Sequence, residues 1–209
     1  ALIGLIEAIA EIPGVERIRL GSLEPRIITR DFVTRLAAIP QICPHFHLSL
    51  QSGCDETLRR MNRHYTTELF EGKCRLLREV FDKPALTTDV IVGFAGETEE
   101  EFARTVDFLE KICFAQMHVF KYSKRKGTRA ASMPHQVDPR IQAERSDVLL
   151  EMTRRQYKDY VRSLVGEKIQ VLLEEEVEIG GVTYMTGLSR RYVRCVFEKS
   201  NLTENTIIS

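Results

Sequence analysis

The chain has 209 residues, of which 43% are hydrophobic and 29% charged, and its formal net charge is zero. That is the balance of a soluble globular protein, and it leaves no whole-chain attraction for nucleic acid or membrane, so any basic surface must be local. No apolar run approaches the roughly 20 residues needed to cross a bilayer and no signal peptide is visible, so the expected location is cytoplasmic.

The segment Ala1–Ala10 (ALIGLIEAIA) reads as an apolar helix with no cap before it and ends near Pro13-Gly14. A chain that opens in mid-element and without methionine is expected to be a fragment. Val15–Leu20 alternates as a strand that stops at Gly21-Ser22-Leu23-Glu24-Pro25. Thr29 or Asp31 can cap a helix to Ala38. His45–Leu50 is the second strand, closed by Gln51-Ser52-Gly53. Thr66-Thr67 precede a helix from Glu68 to Phe81, and Leu86–Val92 is the third strand. Thr98 and Glu101 form a capping box for a helix to about Ile112. Gln116–Tyr122 is the fourth strand, and the polar, basic Lys124–Val137 is a loop. Asp138-Pro139 opens a long helix to Leu164, closed by Gly166. Short β-like runs follow at Lys168–Leu173 and Thr183–Gly187 around a Gly180-Gly181 turn, and the closing residues read as a truncated strand. A domain boundary is expected at about 165, giving units of 1–165 and 166–209.

Alternating strand and helix predicts an α/β fold with a parallel sheet, either part of a (β/α) barrel or an open doubly wound sheet. In both, ligands bind at the carboxyl ends of the strands. Those ends carry Ser22 and Glu24, then Gln51 and Ser52, then Gly93, and finally Tyr122 and Ser123, with Asp89 inside the third strand. Glu, Gln and Asp can bond a ribose, and Gly93 lets backbone approach a ligand closely. The plainer reading is that Ser, Glu and Gly merely end strands. Val15–Leu20 is expected to be a bare sheet edge.

The five cysteines, Cys43, Cys54, Cys74, Cys113 and Cys195, are scattered, with no CxxC pair or cluster-ligating triplet, and read as small buried hydrophobes. No metal ligand set is expected within the chain. His45 and His47 would share one strand face, which suits a metal pair but is more often ordinary core or rim; His118 reads as structural. There is no P-loop and no Ser-His-Asp pattern. An aldolase-like barrel would want a Schiff-base lysine, for which Lys121 is the single candidate. Basic stretches fall at Arg59–Tyr65, at Lys121–Arg129, with Lys124, Arg125 and Lys126 at its centre, and at Arg190-Arg191-Tyr192-Val193-Arg194. Such stretches can grip phosphates, although charge runs are more often solvated loops.

RIRLGSLEP (17–25), HFHLSLQSGCDETLRRMNRHY (45–65), TDVIVGFAGETEEEF (88–102) and HVFKYSKRKGTRAA (118–131) together resemble the radical S-adenosyl-L-methionine (SAM) methylthiotransferases along essentially the whole chain. QSGCDE with RMNR, and YSKRKGT, look most like the subgroup acting on N6-threonylcarbamoyladenosine beside the tRNA anticodon. The resemblance implies a partial radical SAM barrel of about four βα units followed by a small, truncated β-barrel TRAM domain that binds RNA. It also implies SAM as cofactor, tRNA as partner, and a methylthio transfer to C2 of the modified adenine. Two 4Fe–4S clusters serve that chemistry in the parent, with ligands outside this chain, so the fragment alone is expected to be inactive. Carried over, Glu24 and Gln51 would contact the ribose, Arg63 the SAM carboxylate, and Asp89 another polar part of SAM. Gly93 and Phe94, with Phe120 and Tyr122, would meet the adenine. Lys121, Lys124, Arg125, Lys126, Arg190, Arg191 and Arg194 would face RNA. Ala95 and Arg129 stand where the family often has proline. The rivals are a sister methylthiotransferase, acting on isopentenyladenosine in tRNA or a ribosomal-protein aspartate, and a non-catalytic RNA-binding module.

Overall fold

Strict alternation builds the first sheet. In β2 (Ile42–Gln51) the side chains of Phe46, Leu48 and Leu50 are wholly buried on one face, while His47, Ser49 and Gln51 turn to the other. β3 (Ala85–Val92) repeats the pattern, with Leu86, Val90 and Val92 buried and Asp89 and Ile91 half-buried. The computed structural model describes residues 2–198 and 201–209, so the Ala1 start of the expected first helix lies outside the described residues. Among those described, β1 (Ile18–Leu23), β2, β3 and β4 (Gln116–Lys121) form one parallel sheet in that order.

Helices cover one face only. α1 (Leu2–Ala10), α2 (Arg30–Ala37), α4 (Thr67–Val80), α5 (Glu99–Ile112) and α6 (Pro139–Ser163) are joined by the short α3 (Asp55–Arg60). Their apolar stripes supply Val33, Leu36, Phe70, Leu77, Phe108, Leu109 and Leu149 to a single core with the strand residues. Caps set the boundaries: Thr29 accepts from the Phe32 amide, Thr66 from Leu69, and Asp138 from Arg140, and Thr98 and Glu101 complete a reciprocal capping box. The face without helices is hollow and polar. Arg19, His45, His47, Thr87 and His118 line a cavity of about 290 Å³ in it.

A second, antiparallel sheet follows the turn at Gly166. Its order is β7 (Arg194–Glu198), β6 (Val182–Ser189), β5 (Val171–Ile179), β8 (Ile207–Ile208). Gly180 and Gly181, at φ 60° and 79°, make the two-residue turn whose twist matches the β5–β6 hairpin. The sheet is open among the described residues.

Several boundaries differ from expectation. β1 runs three residues later than Val15–Leu20, because Ser22 adopts φ 53° and the strand continues through Gly21 rather than stopping there. β2 begins at Ile42, ahead of His45. α3 is additional; its six residues bury only Thr57 and Leu58, too few to leave a periodic pattern. Arg129–Ser132 forms a 3-10 turn inside the expected loop. β1 is an edge strand, as expected, and β4 is the other edge. There the Met117 amide donates to the Thr153 hydroxyl of α6 (2.8 Å).

Candidate functional site at the strand ends

Three successive strands end in left-handed backbone: Ser22 at φ 53°, Gln51 at φ 73° and Gly93 at φ 70°. For Ser and Gln this conformation costs on the order of 1–3 kcal/mol and persists only where neighbours enforce it. Those neighbours are visible at Gln51. The β2–β3 register slips between Leu48 and Gln51, a bulge of the kind that re-aims a side chain. The buried Thr88 hydroxyl donates to the Leu48 carbonyl (2.6 Å) and accepts from the Leu50 amide (3.2 Å). The Tyr65 hydroxyl donates to the Ser49 and Leu50 carbonyls at 2.8 and 2.9 Å. Burial pushes the Tyr65 phenol up to about 12, with smaller influences from Arg63, which lowers it, and Glu24, which raises it.

The loop after β3 is fixed from beneath. The Glu97 carboxylate accepts from the Gly93 amide (2.6 Å) and pairs with Arg145 of α6 at 2.7 Å, with both side chains almost wholly buried. Burial raises the Glu97 carboxyl, against the lowering pull of the Gly93 amide and Arg145. A Cβ at Gly93 would strike the Gln142 side chain, so this position needs glycine for space as well as for φ. Arg60 bonds the Ala95 carbonyl (3.2 Å) and is paired with Glu101. Burial raises the Glu101 carboxyl, but the Arg60 hydrogen bond and charge and the Thr98 amide outweigh it, leaving it lowered.

On this frame, Phe94 and Tyr122 meet edge-to-face with ring centroids 5.0 Å apart. The Tyr122 hydroxyl is buried without a hydrogen-bond partner. Phe120 is 52% exposed, a large apolar side chain open to a ligand. Arg63 and Phe94 share a cavity of about 730 Å³ with Arg59, Ile91, Arg129 and Met133. Glu24 and Gln51 stand at the neighbouring strand ends, but Asp89 lies deeper, its carboxylate 3.2 Å from His47 Nε2. Of the expected SAM contacts only Arg63 and Phe94 line this cavity, but an arginine, an unpartnered hydroxyl and an exposed aromatic at one end of the sheet suit a ligand with a carboxylate, hydroxyls and a flat ring, as SAM has. The cysteines do not fit an iron–sulfur cluster: Cys43, Cys54 and Cys74 are buried, and no three cysteines converge among the described residues.

The basic residues divide. Lys121, Lys124, Arg125, Lys126 and Arg129 are exposed at the carboxyl end of β4 and form no ion pair among the described residues. The arginines after β6 are placed at the opposite end of the parallel strands. Arg190 donates to the Pro40 and Ile42 carbonyls, and Arg191 to the Lys83 (3.1 Å) and Asp82 (3.2 Å) carbonyls, with Asp82 and Glu167 as ion-pair partners. Arg194 pairs with Glu175 at 3.0 Å. Tyr192 between them stacks on His45, centroids 4.7 Å apart, under the Arg19 guanidinium. Burial first, then the nearby Arg19, His47 and His118, lower the His45 pKa to about 3. Neither the Glu97–Arg145 pair nor the Tyr65 clamp is visible from sequence, because each joins residues far apart in the chain.

Comparison with known proteins places this geometry. Residues 2–109 match the Radical SAM superfamily. The chain is 44% identical over 171 residues to the tRNA-2-methylthio-N(6)-dimethylallyladenosine synthase of Thermobifida fusca, covering 82% of the chain and 35% of that protein. It is 37% identical over 195 residues to the threonylcarbamoyladenosine tRNA methylthiotransferase MtaB of Bacillus subtilis, covering 93% and 43%. It thus spans well under half the length of these curated relatives. Among solved structures, the radical SAM enzyme coproporphyrinogen III oxidase (HemN) from Escherichia coli shares the fold, with a TM-score of 0.58 at 19% identity over 74% of this chain and 36% of that one. No helix among the described residues is long and apolar enough to cross a membrane.

Proposed function

The chain belongs to the radical SAM superfamily, and we propose that it supplies the SAM-holding strand ends and the RNA-gripping rim of a tRNA methylthiotransferase. The observation that carries this reading is proximity at one end of the sheet: the carboxyl side bears the left-handed strand ends, the cavity that Arg63 and Phe94 line, and the Lys121–Arg129 run, of which Arg129 lines the cavity and whose five cations form no ion pair among the described residues. Bound SAM supplies the radical chemistry, and the protein supplies binding, orientation and exclusion of water. Glu24 and Gln51 hydrogen-bond the ribose hydroxyls. Arg63 pairs with the carboxylate. The Gly93 backbone, Phe94, Phe120 and Tyr122 hold the adenine, with the Tyr122 hydroxyl satisfied by the ligand. Asp89 contributes least, since its carboxylate is occupied by His47.

Lys121, Lys124, Arg125 and Lys126 contact tRNA phosphates beside this cavity, where each neutralised phosphate adds salt-sensitive affinity. Residues 166–209 form a TRAM-like unit divided from 1–165, whose RNA contact rests on Arg194, 51% exposed, more than on Arg190 and Arg191. As substrate we take N6-threonylcarbamoyladenosine, supported by the QSGCDE and YSKRKGT motifs and by a match to the Bacillus protein that extends into the second sheet. The higher identity to the Thermobifida protein supports dimethylallyladenosine as the second reading. Nucleoside mass spectrometry of tRNA from cells lacking the gene tests both. Loss of the methylthio group from threonylcarbamoyladenosine alone supports the first, and its loss from dimethylallyladenosine supports the second. Unchanged tRNA overturns both and leaves methylthio transfer to a ribosomal-protein aspartate or, failing that, a non-catalytic RNA-binding role.

A further inference from the structure

The hollow face of the parallel sheet gathers more nitrogen ligands than the strand-end site uses. His47 on β2, Asp89 on β3 and His118 on β4 each offer one donor atom, and the three atoms lie within 4.8 Å of one another. They come from neighbouring strands because register places His47 opposite Thr87 and Asp89 opposite His118. We propose that these three side chains bind a divalent transition-metal ion of the zinc class, leaving at least one coordination position open to the hollow. Two imidazoles and one carboxylate are the donor set of three-ligand zinc and related sites, and they select such ions over magnesium or calcium, which prefer all-oxygen shells.

The geometry is nearly complete. Around zinc, with bonds of roughly 2.0–2.1 Å, tetrahedral donors stand roughly 3.3 Å apart. His47 Nε2 and Asp89 Oδ2 are already at 3.2 Å. Only His118 must close in, and it is able to: it is exposed on an edge strand, no hydrogen bond fixes its ring among the described residues, and its centroid is 5.8 Å from that of His47. A supporting group is also present. The buried Thr87 hydroxyl lies 3.1 Å from His47 Nδ1 and 3.1 Å from His45 Nε2. If it accepts the Nδ1 proton of His47 and donates to His45, the His47 Nε2 lone pair faces the ion, the arrangement in which metal-bound histidines are held by a partner on the other nitrogen. A surface histidine near a carboxylate by chance would lack that buried partner.

Cobalt(II) titration of the full chain, stripped with EDTA and followed by visible absorption, tests the site. The expected result is one equivalent bound with d–d bands of a four- or five-coordinate ion, displaced by zinc and not by magnesium. His118→Ala and Asp89→Asn should each weaken binding at least tenfold, and the metal-induced rise in melting temperature should vanish in both. Neither change removes a core side chain, and circular dichroism confirms that the variants are folded. Absence of one-equivalent binding would overturn the proposal. So would variants that bind like the parent, which would assign the ion to other donors such as the exposed Cys113.

Discussion

Lys121–Arg129 carries five cations in nine residues and Arg190–Arg194 carries three arginines in five, yet only the second group is built into the fold. The first projects from the carboxyl ends of the parallel strands with no ion-pair partner among the described residues. The second reaches back across the amino ends, where Arg190 and Arg191 satisfy carbonyls of the turns entering β2 and β3. The difference is one of electrostatic employment. A guanidinium that bonds carbonyls and carboxylates holds two sheets together, whereas an ammonium with no partner keeps its charge for a ligand.

The comparison can be broken by substitution, starting where the effect is greatest. Arg145 is the most deeply committed arginine, and Arg145→Met should cost about 3–5 kcal/mol by stranding the buried Glu97 carboxylate; a thermal melt that moves by less than about 1 °C would remove it from this class. Arg191→Ala should cost about 1 kcal/mol, because the Asp82 carbonyl loses its donor, while the Lys83 carbonyl keeps the Tyr160 hydroxyl and the Glu167 carboxylate keeps Lys83. Urea unfolding should show that loss with no change in the salt dependence of tRNA binding. The triple change Lys124→Ala, Arg125→Ala, Lys126→Ala should do the reverse. It should leave stability within about 0.5 kcal/mol, weaken tRNA binding about tenfold and lower the slope of log affinity against log salt by about 2. Equal effects of Arg191→Ala and the triple change on tRNA binding would erase the distinction.

The smallest effect concerns acid. Glu101 has a lowered pKa in the folded chain, so its contribution is complete above its unfolded value of about 4.5 and is lost as pH falls through the folded value. Melting temperature followed from pH 7 to pH 3 should therefore fall slightly less steeply in Glu101→Gln than in the parent. A steeper fall in the variant would contradict the sign.

Local chemistry was readable in advance wherever it was complete within a few residues. The Thr98–Glu101 capping box, Asp138-Pro139 and the alternation of β2 and β3 all specify their elements unaided. β1 was misplaced because Gly21-Ser22 reads as a terminator, while the fold holds Ser22 at positive φ inside the strand. β5 is longer than its apolar run, since Glu174-Glu175-Glu176 lie in the strand and hide the alternation. At the site, the strand-end rule pointed to the carboxyl side of the sheet but named no residue that lines the cavity there, whose Arg59, Arg63, Arg129 and Met133 come from segments between or after the strands. It could not find what fixes the loops there, because Glu97–Arg145 joins the loop after β3 to α6 and Tyr65–Ser49 joins the loop before α4 to β2, residues 48 and 16 positions apart. Nor could it separate the two basic groups, since the partners of Arg190 lie 148–150 residues away.

The most direct test of the central claim, that tRNA is gripped beside the strand-end cavity, is complementation read by nucleoside mass spectrometry. Cells lacking the gene receive it back with Lys124→Glu, Arg125→Glu and Lys126→Glu, or with Arg191→Lys as a folded control. The account predicts that methylthio-adenosine derivatives stay near the level of the deletion with the charge-reversed protein, although it accumulates normally, and return with the control. Full restoration by the charge-reversed protein would contradict it.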